Sequence, residues 1–381
     1  MRIVYLIHSL HTGGGMEKML TAKANRFAGM PDCEVWVITS HLRGRTPFFE
    51  LDARVHLLDA GVNDRLWGLR YRRRLQTLLS QVRPDVSVSL GGADVFQLLK
   101  CRECGAKVAE NHFLHDKFYR KYRFRPYAAL RTRALNRALL RYDALVVLSE
   151  YDRAWYAARS KHPERVVMIP NFTDIAGKDD GSRRRVEAAS GERFIAVGRL
   201  SPEKNFADAV RIWQKVAAVC PDWRLDIYGG GKQESRLREL IAECGMSGKV
   251  NLMGPSRTLA AEYATADGVL ITSRYEGFCL VAVEAMASGV PVVALGCPGG
   301  IAEVLASGGG VLVPRGGDSA GSDAAESGPL DEAAQAVCRL IADPALRAET
   351  GRRGLEAARA YSPDAVMARW KSLFDKLTCT E

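Results

Sequence analysis

Short apolar runs recur along this chain, each followed by a polar or amphipathic stretch. In the first half the runs are Ile3–Ile7, Val35–Thr39, Val55–Leu58, Val86–Leu90, Lys107–Ala109, Ala144–Leu148 and Val166–Ile169. Runs this short, apolar throughout and bounded by turn residues, suit strands covered on both faces. The stretches between several of them, such as Met16–Phe27 and Tyr71–Val82, carry the apolar spacing of a helix. A second series reads as strands at Phe194–Val197, Arg224–Tyr228, Val250–Met253, Val269–Thr272, Pro291–Ala294 and Val311–Val313. Its helices read at Lys204–Val219, Ser235–Cys244, Leu259–Ala264 and Val281–Ser288, and three more follow at Asp331–Ala342, Ala345–Tyr361 and Asp364–Leu377. Strand and helix alternating in this way predict an α/β protein with parallel sheets.

The polar, charged segment Ile175–Ser190 separates the two series and reads as an interdomain linker. Gly316–Gly328 is small, polar and low in complexity, and reads as a surface insertion without chemistry of its own. The expected organisation is a first domain at 1–174, a second at 175–362, and a final helix at 363–381 that crosses back to the first domain. A length of 381 residues fits two doubly wound domains better than one core. In such domains ligands bind beyond the carboxyl ends of the strands.

Charge changes the picture in the first half only. Through residue 175 there are 29 Lys and Arg against 17 Asp and Glu, whereas the remainder is slightly acidic, so the whole net charge of +10 originates there. The excess is densest in Arg65–Arg74 and Lys117–Arg141, where Arg and Lys alternate with Trp, Tyr, Phe and Leu. That composition suits an anionic membrane surface or an anionic lipid-linked acceptor. A solvated basic helix face is the plain alternative. Nucleic acid would also meet such a patch, but no nucleic-acid-binding motif accompanies it. Nine cysteines without a framework, and an N-terminus too short and broken for a signal peptide, point to a reducing cytoplasm. Cys101 and Cys104 form a single C-x-x-C with no second pair to complete a zinc site. No apolar stretch approaches the ~20 residues of a membrane span.

The most informative segment is Ser273–Leu295. It places Glu276 in a turn with Gly277 and Phe278, and Glu284 beyond seven intervening residues, about two turns into a helix that carries Leu280, Val283 and Met286 on its apolar stripe. A strand, a tight glycine turn and a helix N-terminus together make an anion site, because free N–H groups and the helix dipole both favour negative charge. Upstream, FIAVGRLSPEKN delivers Arg199 to a strand end and sets Lys204 at the opening of the next helix.

These segments resemble the E-x7-E and G-R-x-x-x-x-K-[NG] signatures of the family-4 glycosyltransferases, retaining enzymes of the GT-B fold. The resemblance implies two doubly wound parallel-sheet domains facing a central cleft, with the acceptor on the first and the nucleotide sugar on the second. It implies that Glu276 contacts sugar hydroxyls and Glu284 the ribose, and that the amides of Phe278, Cys279 and Leu280, beside Gly277, meet the diphosphate. Arg199 and Lys204 would bind that diphosphate and stabilise the charge that develops as the sugar–phosphate bond breaks. No Asp-x-Asp pair occurs in the chain, so these two cations are expected to replace a metal, and no cofactor is expected.

Further positions follow from the same resemblance. Gly14, Gly15 and Glu17 align with the family's GG-x-E loop after the first strand, and Lys18 completes it. In the segment AENHFLHD, His112 is the choice for a histidine near the sugar's primary hydroxyl, with His115 as the fallback. Asn171 and Asp174 match the end of the family's first domain, where Asn171 serves a hinge more than a ligand. Gly254 would offer backbone groups to the base, near Tyr228–Gly231. The implied activity is retaining transfer of a hexosyl or N-acetylhexosaminyl unit, from a UDP-sugar before GDP-mannose, to a saccharide or lipid-linked acceptor at the inner face of the cell membrane. A nucleotide-sugar epimerase of the same fold, a non-catalytic lipid- or partner-binding module, and, more distantly, a nicotinamide-dependent oxidoreductase are the alternatives.

Overall fold

The computed structural model of the chain describes residues 1–42, 44–62, 67–92, 94–122, 124–177, 191–256, 258–315 and 327–379. Most of the linker Ile175–Ser190, most of the insertion Gly316–Gly328, and the first two residues of Arg65–Arg74 lie outside the described residues. The chain divides into two compact units, Met1–Asn171 with Met367–Glu381, and Phe172–Val366.

The first unit holds seven strands: β1 (Arg2–Ile7), β2 (Glu34–Thr39), β3 (Val55–Asp59), β4 (Val86–Ser89), β5 (Ala106–Asn111), β6 (Ala144–Val147) and β7 (Val166–Met168). They form one sheet in the order β3-β2-β1-β4-β5-β6-β7, and every pairing is parallel. β4 and β6 are buried at every residue; β6 is accordingly a continuous apolar run, and β4 alternates valine only with small serines, of which Ser87 donates its hydroxyl to the Cys104 carbonyl. Helices Gly15–Ala28 and Trp67–Val82 lie close to the predicted limits. In the last helix, Pro363–Thr378, the buried Trp370 and Phe374 pack into the first unit, with the Phe374 ring 5.4 Å from that of Phe27.

The second unit holds β8 (Arg193–Val197), β9 (Arg224–Tyr228), β10 (Val250–Gly254), β11 (Gly268–Ile271), β12 (Val292–Leu295) and β13 (Gly310–Val313). These also form a wholly parallel sheet, ordered β10-β9-β8-β11-β12-β13. Phe194 on β8 anchors the core with Trp213 and Trp223, their ring centroids 5.7 and 6.0 Å away. Its ring lies directly on Gly268, where a Cβ would come within 2.2 Å of it, so β11 must begin with glycine for the two strands to pair.

In each sheet the strand order reverses at one place, between β1 and β4 and between β8 and β11. The loops leaving the two adjacent strands diverge there and open a crevice at the carboxyl edge. The glycine cluster of the sequence follows β1. The Arg199–Lys204 and Glu276 segments follow β8 and β11.

Candidate active site

In the second unit the loop after β8 and the turn after β11 are bound to one another by backbone. Thr272 donates its hydroxyl to the carbonyls of Lys204 (3.1 Å) and Asn205 (3.0 Å), and the Arg274 N–H donates to the Glu203 carbonyl at 2.8 Å. The Gly198 N–H donates to the Tyr228 carbonyl (2.9 Å) and the Leu200 N–H to the Gly230 carbonyl (3.0 Å). The loops after β8 and β9 approach so closely that a Cβ on Gly229, at φ +148°, would lie 1.8 Å from the Gly198 carbonyl oxygen. Only glycine fits there.

Lys204 does not open a helix as expected. The helix starts at Phe206, after Asn205 in the left-handed conformation (φ 51°, ψ 46°), and this turn sends the lysine back across the loop. Its methylene stem packs on Gly198, and its ammonium lies 2.6 Å from Glu276 Oε1. The Ser273 hydroxyl donates to the same oxygen, also at 2.6 Å. Glu276 is itself fixed by its backbone, since its N–H donates to the Pro298 carbonyl (3.0 Å) and its carbonyl accepts from the Gly300 N–H (3.3 Å). Burial pushes the Lys204 ammonium down, but the facing carboxylate outweighs it, and the net shift is upward, so the cation is held charged. A cavity of only about 10 Å³ is lined here by Lys204, Thr272, Ser273, Glu276 and Cys279.

The following helix, Leu280–Ala287, is as short as its sequence allows. It ends in Ser288 and Gly289, the latter at φ +69°. Glu284 is its fifth residue, so it sits little more than one turn in, short of the two turns expected. Glu284 is buried and accepts the Tyr263 hydroxyl at 3.1 Å. Of the three amides assigned to an anion, the Leu280 N–H is already used by the Phe278 carbonyl (3.1 Å). Those of Phe278 and Cys279 have no acceptor among the described residues. Burial pushes the Cys279 thiol strongly up, which leaves it neutral and unreactive. Gly254 closes β10 at φ +76° and accepts the Gly229 N–H through its carbonyl at 2.9 Å. Arg199 shares the loop with Lys204, yet its side chain is 76% exposed, 3.9 Å from Glu203 Oε1 and outside the Lys204–Glu276 contact.

In the first unit, Gly14 caps the helix Gly15–Ala28, and Glu17 in its first turn accepts the Thr12 hydroxyl at 2.6 Å. Glu17 also crowds Gly14, where a Cβ would lie 2.3 Å from its carboxylate. His112, next after β5, is almost wholly buried, and its Nε2 is 3.1 Å from Glu110 Oε1. Glu110 is also ion-paired with the buried Lys23, whose ammonium sits 4.3 Å from the Trp370 ring. His115 is fixed differently, with Nδ1 2.8 Å from Asp152 Oδ1 and its ring stacked on Trp155. Asn171 is half-buried and is the last residue of the first unit before Phe172. A cavity of about 960 Å³ lies along β7 and the last helix; Glu164, Arg165, Arg369 and Lys376 are among its lining, and it holds none of these motif residues.

Sequence reasoning missed Ser273, Thr272 and Tyr263, which hold the named carboxylates and the lysine loop. The S-x-x-E spacing of Ser273 and Glu276, one turn apart at a strand end, was the available signal. No group of three or more His, Cys, Asp and Glu side chains among the described residues is arranged to hold a metal ion.

Residues 179–354 match the family described as glycosyl transferases group 1, and residues 13–176 match glycosyltransferase family 4. An exopolysaccharide phosphotransferase of Streptomyces coelicolor is 34% identical over 62% of this chain, and the match spans only 23% of that protein. A GDP-mannose:cellobiosyl-diphosphopolyprenol alpha-mannosyltransferase of Xanthomonas campestris is 29% identical over 86% of this chain and 87% of its own. Among solved structures, WaaG, a glycosyltransferase involved in lipopolysaccharide biosynthesis, superposes with a TM-score of 0.74 at 16% identity, covering 99% of this chain and 100% of its own.

Proposed function

The chain belongs to the family-4 glycosyltransferases and has their GT-B fold, and from that premise we propose that it moves a hexosyl or N-acetylhexosaminyl unit from a nucleoside-diphosphate sugar to an acceptor hydroxyl, with retention of configuration, in the building of a polysaccharide or lipid-linked glycan. The observation that carries this reading is the contact between Lys204 and Glu276, made where the strand order of the second sheet reverses. One of the three ammonium N–H groups is spent on the carboxylate, and two remain for diphosphate oxygens. The free amides of Phe278 and Cys279 add donors at the N-terminus of the next helix. As the sugar–phosphate bond breaks, these fixed donors and Arg199 stabilise the growing negative charge without reorganising. Glu276 orients the sugar, and the departing phosphate takes the acceptor proton in a front-face displacement. Glu284, held by Tyr263, meets the ribose. Gly254 faces the base, and a UDP-sugar is favoured over GDP-mannose. In the first unit, Gly14, Gly15 and Glu17 meet the acceptor side, His112 serves the sugar, and Asn171 the hinge.

Incubation of the chain with UDP-glucose, UDP-N-acetylglucosamine or GDP-mannose, with and without saccharide and polyprenyl-diphosphate acceptors, tests this. Transfer with the donor's anomeric configuration, undiminished by EDTA, is the expected result. A product formed without acceptor identifies an epimerase. A strict need for added Mg²⁺ or Mn²⁺ contradicts the metal-free account.

The acceptor's membrane is the second part of the proposal. Helices Lys117–Lys121 and Arg125–Leu139 form a hairpin in the first unit. Residues 117–141 contain nine Lys and Arg and no acidic residue. The same stretch exposes Tyr119, Phe124, Tyr127 and Leu130, with Phe124 at 69% and Leu130 at 67% exposure. Each cation near an anionic leaflet contributes about 1 kcal/mol, and the exposed apolar side chains add burial in the acyl boundary. No helix among the described residues is long and apolar enough to cross a bilayer. Co-flotation with phosphatidylglycerol vesicles and not with phosphatidylcholine vesicles is expected, and Phe124→Ser with Leu130→Ser should abolish it. Equal binding to both lipids, or to neither, refutes the docking.

A further inference from the structure

Resting on the donor site just described, we infer that Ser273 is a positioning residue that decides which oxygen of Glu276 the sugar meets. Ser273 is only 2% exposed, and its hydroxyl is 2.6 Å from Glu276 Oε1. Lys204 reaches that same oxygen at 2.6 Å. Oε2 has no partner among the described residues, although the residue as a whole is only 8% exposed. Oε2 itself is not sealed from solvent, so a ligand can reach it. Here both protein donors converge on Oε1, and the backbone of Glu276 is pinned at its N–H by Pro298 and at its carbonyl by Gly300. The carboxylate cannot turn over without losing two charge-assisted bonds at once, so Oε2 is presented as a fixed, unspent acceptor.

A lysine alone would not do this. Its ammonium is on a flexible stem and could follow either oxygen, or leave for a diphosphate. Ser273 follows the end of β11, one residue beyond Thr272, whose hydroxyl clamps the Lys204 turn. When a diphosphate draws on Lys204, the Ser273 bond still fixes the carboxylate plane. The serine thus separates two tasks that share one ion pair. Lys204 is free to attend to the phosphate, while Oε2 remains aimed at the pair of donors that only a pyranose, and not a bare diphosphate, can offer.

The test compares binding of UDP-glucose, UDP-N-acetylglucosamine and GDP-mannose with binding of UDP and GDP, by calorimetry on the full chain. Ser273→Ala should weaken the nucleotide sugar about tenfold, the size of one hydrogen bond to a charged group, and leave the free nucleoside diphosphate unchanged. Ser273→Thr, which keeps the hydroxyl, should restore sugar binding. An equal loss for sugar and diphosphate, or no loss for either, overturns the positioning role while the donor site stands. If the wild-type chain binds none of the three nucleotide sugars, the donor site itself falls, and the role of Ser273 falls with it.

Discussion

Glu276→Gln separates charge from shape at this site. Oε1 receives two donors, the Lys204 ammonium and the Ser273 hydroxyl, each at 2.6 Å. A glutamine side chain must turn its carbonyl oxygen toward them, because the opposite rotamer sets an NH₂ against an ammonium. The amide nitrogen then occupies the place of Oε2, and an acceptor becomes a donor. A sugar hydroxyl that donated to the carboxylate loses a charge-assisted bond worth about 1.5–3 kcal/mol, which is a fall of roughly 10- to 150-fold in kcat/KM for each hydroxyl so held. Folding suffers less. The Lys204 side chain keeps 23% exposure, so the screened loss of its counter-charge costs about 1 kcal/mol, or a few degrees in Tm. Lys204→Ala differs in kind, since it leaves a carboxylate with a 10%-exposed side chain and only Ser273 for a partner, at a cost of about 2–3 kcal/mol. Initial rates of sugar transfer and thermal melting measured side by side distinguish the two. Wild-type turnover in the Gln variant, or a larger drop in Tm for Gln than for Ala, refutes the reasoning.

Two further predictions concern buried charge in the first unit. Burial holds the Asp94 carboxyl up at about 6, and the bond from Tyr71 only partly pulls it back. The folded chain therefore keeps a proton that the unfolded chain releases near 3.8; this stabilisation is full below that value and is lost as pH rises through 6. Above it the ionised form costs on the order of 3 kcal/mol, so Asp94→Asn should raise the urea midpoint at pH 7.5 and change little at pH 4. An unchanged midpoint at pH 7.5 counts against the assignment. Glu110 has the opposite sign. Burial raises it, but Lys23 and then His112 outweigh that and hold it at about 2, so its contribution is present above its ordinary 4.5 and is lost as pH falls through 2. Lys23→Met or Glu110→Gln alone should cost about 3–5 kcal/mol, while the double variant should recover most of it. Additive losses in urea unfolding would show that the two charges do not depend on one another.

Most strands and helices were legible because parallel strands covered on both faces leave a simple imprint. Residues 144–147 or 292–295 can hardly be anything other than buried strands. The side-chain contacts left no such imprint. Glu276 and Glu284 share a motif, yet one turns to Lys204 across 72 positions of sequence and the other to Tyr263 across 21. Short helices such as Asp94–Leu98 and Ile301–Ala306 were passed over because a stretch that short carries too little periodicity to register. Arg199 and Lys204 looked equivalent in the sequence. The fold makes them unlike, since the Lys204 stem packs on Gly198 and its ammonium meets the buried Glu276, whereas Arg199 is largely exposed and comes no nearer than 3.9 Å to Glu203.

That difference traces to Asn205. A helix that began at Lys204 would project the lysine along its own surface. Asn205 takes the left-handed conformation, which asparagine tolerates better than most residues, and its Nδ2 donates to Asp208 Oδ2 at 2.6 Å, tying the turn to the first turn of the helix. Thr272 then holds the Lys204 and Asn205 carbonyls from β11, so the ends of two strands adjacent in the sheet jointly set the direction of one ammonium. The asparagine in the G-R-x-x-x-x-K-N segment is thus a backbone device, and the chemistry of the lysine depends on it. A motif of this kind records two separate requirements, a charge to act on the ligand and a turn to aim it, and only the first is visible as chemistry before the fold is known.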